Sequence, residues 1–141
     1  MYKNILFPID VSGESSWKAS LPVVLELVRA FKPKLHVLTV IPDFGGSLVA
    51  QFFPENAAEE LIRDATAKLH AFTGAHIPGD ISLRHVVTQG VVYEAIIDTA
   101  ERVNADLIVM EAHRPELKDY LLGPNAARVV RHFPRSVLVV R

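Results

Sequence analysis

Five short runs rich in valine, isoleucine and leucine recur along the chain: NILFPI (4–9), KLHVLTV (34–40), ISLRHVVT (81–88), DLIVMEA (106–112) and SVLVV (136–140). Each is nearly continuous rather than alternating, the pattern of strands covered on both faces. Between them lie stretches of helical period. The first, 15–31, offers several polar caps and is expected to bend at Pro22. The second, 56–73, should stop at Gly74; the third sets Val92, Ile96 and Ala100 on one stripe beside Val103 and ends near Asn104. The last runs over 125–132, before Pro134. Strands that alternate with helices imply right-handed crossovers and a mostly parallel sheet between two helical layers.

The chain's 141 residues suit one domain, 1–141, and are enough to bury a real core. Half of them are hydrophobic and 22% are charged, a folded rather than a disordered balance. There is no cysteine, which excludes thiolate chemistry and sulfur ligation of zinc or iron–sulfur clusters. The apolar run in MYKNILFPID is short for a signal peptide, and no segment approaches the roughly 20 apolar residues of a membrane helix. The expectation is therefore a cytoplasmic protein with no membrane partner.

The net charge of −1 hides an asymmetry. After Ala112 come six Lys/Arg and two acids, so of the 15 bases and 16 acids nine and fourteen precede it. This reads either as ordinary solvated helix and strand ends or as a local field for a small anion. Nucleic acid is not expected, because the bases are few and not interleaved with stacking aromatics. The connection 41–56 is long and carries Phe44, Phe52 and Phe53. It reads as aromatics over the sheet edge, a short helix, or a ligand lid.

Several enzyme signatures can be tested. Neither GxxxxGK[ST] nor GxGxxG occurs. VSGESS (11–16) resembles a ligase pyrophosphate loop but lacks its second glycine and its aspartate. The six histidines form no compact ligand pattern, so a catalytic metal is not expected. In an open parallel sheet ligands sit beyond the strand C-termini where the strand order reverses. With strands one and four as neighbours there, Asp10, Val40 and the segment from Glu111 to Arg114 come together with the N-terminus of the last helix at Gly123 to Ala126. Asp10 either bonds its own loop or touches a ligand. His113 reads as a solvated histidine rather than a catalyst, since no group to orient it is evident. Arg114 reads as a surface residue or a phosphate partner. Pro124 fits the first helical turn but subtracts one backbone donor.

Read in order, KNILFPIDVS, VVTQGVVYEAIIDTA, ADLIVM and YLLGPNAARVVRHFPRSVLVVR resemble the universal stress protein family over nearly the whole chain. The combination of HRP (113–115) with the C-terminal segment resembles its F- and G-type branch. The resemblance implies an α/β fold, Rossmann-like with the flavodoxin-like strand order 3-2-1-4-5, and a homodimer joined through strand 136–141. It also implies a site for ATP or AMP, with or without Mg2+. By motif position Pro8, Ile9 and Asp10 would border the base, Val40 would offer backbone groups and Met110 would pack on the ring. His113, Arg114, Gly123, Asn125 and Ala126 would face ribose and phosphates.

Binders in that family typically carry G-2x-G-9x-G-[ST] after the fourth strand. Here Glu111 and Arg114 stand at the first two glycines, one residue is missing before Gly123, and Pro124 replaces the Ser/Thr. These departures bear on the phosphates more than on the base. Three functions stay open: an adenine-nucleotide-binding stress regulator without dedicated catalysis, an interaction module whose pocket has closed, and a slow ATPase or self-modifying phosphoprotein. Neither the stress nor a protein partner is legible.

Overall fold

The computed structural model describes residues 1–42, 56–112 and 123–141. Five strands, β1 (Asn4–Pro8), β2 (Lys34–Pro42), β3 (Leu83–Gly90), β4 (Leu107–Glu111) and β5 (Ser136–Val140), form one parallel sheet in the order β3-β2-β1-β4-β5. The helices are α1 (Ser20–Phe31), α2 (Ala57–His76), α3 (Val92–Arg102) and α4 (Pro124–His132).

Two apolar clusters sandwich the sheet. One packs Ile5, Phe7, Leu35, Val37 and Val109 against Val24 and Val28 of α1 and Leu69 and Phe72 of α2. The other packs Leu6, Leu38, Ile108 and Met110 against Ile96 and Ala100 of α3 and Ala126 and Val129 of α4. Adjacent strand residues thus serve opposite layers, as period-two side chains must. Both layers demand apolar groups, and this produces the continuous runs seen in the sequence.

Local details differ from expectation. A 3-10 turn over Glu14–Ser16 precedes α1, which begins only at Ser20. Pro22 therefore lies in the first turn, where an N–H has no partner within the helix, and the helix need not bend around it. α2 passes through Gly74 and ends at His76, before the buried Ile77 and the exposed Pro78. A glycine costs a helix about 1 kcal/mol, and contacts of Phe72 and His76 with Trp17 flank this one. β3 starts two residues late because Ile81 closes a turn onto the Pro78 carbonyl (3.2 Å). β2 runs on to Pro42, and the three loop phenylalanines lie outside the described residues.

The central pair sets the position of the site. β1 and β4 are in register at Ile5↔Leu107 and Leu6↔Ile108, whereas β1 follows β2 as far as Pro8↔Leu38. At the entry to that ladder the Asp106 carboxylate accepts the N–H groups of Lys3 (2.9 Å) and Asn4 (3.1 Å). At its exit the two chains lead to different layers, and a crevice opens between them.

Candidate functional site

A cavity of about 280 Å³ occupies this crevice. That is close to the lower end of the range for small-molecule sites, about 300–1,000 Å³. Pro8, Ile9 and Asp10 reach it from the end of β1, Val40 from β2, and Met110 from β4. Gly123, Asn125 and Ala126 close it from the start of α4. Eight of the ten residues singled out from the sequence thus share one cavity. His113 and Arg114 lie outside the described residues.

Four further lining residues were not anticipated. Val92 and Ile96 belong to the apolar stripe of α3, whose N-terminal end continues past the sheet into the cavity. Pro42 enters because β2 is longer than its apolar run suggests. Ser16, within the stretch expected to start the first helix, instead folds the loop before it. Its Oγ accepts the Asp10 N–H (2.8 Å) and lies near the carbonyls of Gly13 (3.0 Å) and Asp10 (3.1 Å). Asp10 completes that turn, with Oδ1 accepting the Ser12 N–H at 2.8 Å. The loop-bonding role of Asp10 is therefore present, in a residue that also lines the cavity.

Two helix N-termini meet at this place and are satisfied differently. Oε1 of Glu111, at the end of β4, accepts the N–H of Ala19 (2.6 Å), the N–H of Ser20 (2.7 Å) and the Ser20 hydroxyl (3.1 Å). A carboxylate on a helix N-terminus is favourable both as a cap and against the dipole. The residue that stands at a family glycine is thus the cap of α1, ninety-one positions away in sequence from Ser20. Among the described residues α4 has no such partner. Its N-cap is Gly123, which makes no side-chain cap, and Pro124 occupies the first turn without an N–H. The N–H groups of Asn125 and Ala126 follow in that turn, at the cavity wall. Such an end suits an anion.

The apolar floor of Ile9, Val40, Met110, Val92 and Ile96 suits a flat, weakly polar group. Among the described residues no group of three or more His, Asp or Glu could hold a metal ion. Among them too, no helix is long and apolar enough to cross a membrane.

The model of the Universal stress protein family matches residues 1–141. Universal stress protein G of Salmonella typhimurium is 31% identical over 144 residues, covering all of both chains. Among solved structures, hypothetical protein MJ0577 superposes with a TM-score of 0.75 at 27% identity, over 99% of this chain and 96% of that one. A universal stress protein in complex with cAMP has this fold too, with a TM-score of 0.61, 23% identity, and 99% and 97% coverage. The match spans the full length in both family and relative: this chain belongs to the universal stress protein family.

Proposed function

We propose that this protein is a cytoplasmic stress-response regulator that binds an adenine nucleotide, ATP or AMP, in the crevice between β1 and β4. It signals nucleotide state as a homodimer and has no dedicated catalytic step. One observation carries the reading: a single cavity combines an apolar slot for a base with a helix N-terminus, left uncapped by the described residues, for a phosphate. An open cavity also favours this reading over an interaction module with a closed pocket. That a protein of the same fold was crystallised with cAMP agrees with it, although that likeness is one of fold.

The test is direct. Protein purified without added ligand, heat-released and run on anion exchange, should yield ATP or AMP. Absence of any nucleotide, together with no calorimetric binding of adenosine, AMP or ATP at millimolar concentration, would overturn the reading. ATP turnover by the pure protein well above the spontaneous rate would overturn its non-catalytic part.

The dimer reading rests on β5. This edge strand leaves Leu138 37% exposed, and an uncovered apolar edge invites pairing. Val140 turns its carbonyl inward to the Ala112 N–H (2.9 Å), so strand alternation turns the Val139 N–H to the open side. Val139→Pro would remove an edge donor while sparing the ladder to β4. Light scattering at tens of micromolar should find a dimer for the wild type and a weakened one for this variant. A wild-type monomer at that concentration ends the dimer reading.

A further inference from the structure

We infer that the protein has a second ligand site, for a free α-amino acid with an aliphatic side chain, at the end of the sheet opposite the crevice. A cavity of about 380 Å³ opens there, where α1 stops and β2 and β3 begin. Its size falls within the range of small-molecule sites, about 300–1,000 Å³. The described residues that border 43–55 and 113–122 stand at the other end, after β2 and β4 and before α2 and α4. This second site stands whether or not the crevice binds a nucleotide.

The chemistry of the wall selects the ligand. Val28, Pro33 and Ile81 give it an apolar side, and the first two are buried. Lys32 and Asp80 give it opposite charges that do not pair with each other. Among the described residues neither makes a hydrogen bond or an ion pair. Arg29, a further cation of the lining, is already engaged with Glu26 at 3.0 Å. One free cation thus stands against one free anion, beside an apolar surface. A ligand that carries both charges satisfies both: its carboxylate meets Lys32, its ammonium meets Asp80, and its alkyl group lies on the apolar side. The C-terminal dipole of α1 also favours an ammonium here.

The backbone of Lys32 is a second, independent observation. It ends α1 in the left-handed conformation, with φ 51° and ψ 49°. Glycine or asparagine usually fills such a position, and the corresponding left-handed residue after α3 is Asn104. A lysine there is strained, and Pro33 after it favours an extended backbone instead. Strain of this kind gathers at ligand clamps.

Titration of the full chain with L-leucine, followed through the amide signals of Ile81 and Ser82 in heteronuclear NMR, tests this. Leucine should give saturable shifts. Isocaproate, which lacks the ammonium, and isoamylamine, which lacks the carboxylate, should each bind at least about tenfold more weakly, the loss of one hydrogen bond between charged groups. Asp80→Asn should weaken leucine about tenfold on the same grounds. Lys32→Gly should do so too while keeping or raising the urea midpoint, because glycine relieves the left-handed turn and the lost binding is then not lost folding. No saturable shift with millimolar leucine would overturn the site. Isocaproate or inorganic phosphate binding as tightly as leucine would reduce it to an anion site and overturn the amino-acid assignment. Leucine affinity unchanged in both variants would overturn the roles of Lys32 and Asp80.

Discussion

The two helical layers of this protein share a sheet but treat their exposed helix ends in opposite ways. The α1/α2 layer is closed over its end: the first turn of α1 is bonded to Glu111, and Trp17 lies against Phe72 and His76 of α2. The α3/α4 layer leaves its end open among the described residues, with Gly123 and Pro124 leading into the cavity and no side-chain cap on α4 from them. Strand register explains why both ends arrive at one place, since β1 feeds the first layer and β4 feeds the second. What separates them is one carboxylate. A helix end neutralised from within adds to stability, whereas an end left free is available to a ligand.

The strongest way to break this contrast is to remove the carboxylate. Glu111→Ala takes away three hydrogen bonds on one charged oxygen and leaves the N–H and hydroxyl of the buried Ser20, and the N–H of the exposed Ala19, without it. The expected loss is about 2–3 kcal/mol, read as a lower urea midpoint at unchanged slope. Asn125→Ala at the other end should cost no more than about 0.5 kcal/mol, as for most exposed positions. Similar losses at both ends would mean that Glu111 is an incidental contact and that the layers do not differ.

The second test works on the open end. Pro124→Ser adds a backbone N–H and a hydroxyl beside Asn125 and Ala126 without altering the apolar floor. AMP should bind about 1–2 kcal/mol more tightly, the scale of one or two hydrogen bonds, while adenosine changes little. An AMP affinity that stays put would place the phosphate elsewhere than on α4.

Most of the frame behind these tests was legible in the sequence, and the reason is periodicity. Five apolar runs and the stripe Val92–Ile96–Ala100 are local signals of burial, and both recur in the two clusters. The cavity was legible too, because strand ends at a switch point converge by topology, not by side-chain detail. The role of Glu111 was not. A polar side chain at a strand end carries no local mark of what it will bond. The 15–31 stretch offered several polar caps of its own, yet Ser16 bonds the Asp10 loop and the cap of α1 comes from β4. Only the folded register brings Glu111 to Ala19. The helix through Gly74 was missed for a related reason, since tertiary contacts on either side outweigh a local propensity.

Acidification is expected to sharpen the contrast with the smallest effect. Each layer holds one histidine kept neutral by its surroundings. His85 of β3 lies under α2, with Nε2 2.7 Å from Thr73 Oγ1 and its ring stacked on His70 at 3.8 Å. Burial, and then the neighbouring His70, lowers its pKa. His36 of β2 lies on the other side, beside Leu6 and Leu38, with Nε2 3.1 Å from Asn4 Oδ1. Burial, and then Arg84 and Lys34, lowers its pKa as well. In both cases the unfolded chain binds the proton more readily than the native one. Stability is therefore fully present above the ordinary histidine pKa of about 6.5 and is lost as pH falls below it towards the native values, by at most about 1.4 kcal/mol per pH unit per group. Protonation of His85 would place its charge in the half-buried contact with Thr73 and the stacked His70 ring, so the α1/α2 layer should loosen at the β3–α2 contact. Trp17, which packs on α2 and is the chain's single tryptophan, should report this as a fluorescence change before the sheet unfolds. His85→Gln should remove that early change and His36→Gln should not. An early change that survives in His85→Gln and vanishes in His36→Gln would mean that the layer carrying the cavity, not the closed one, yields first to acid.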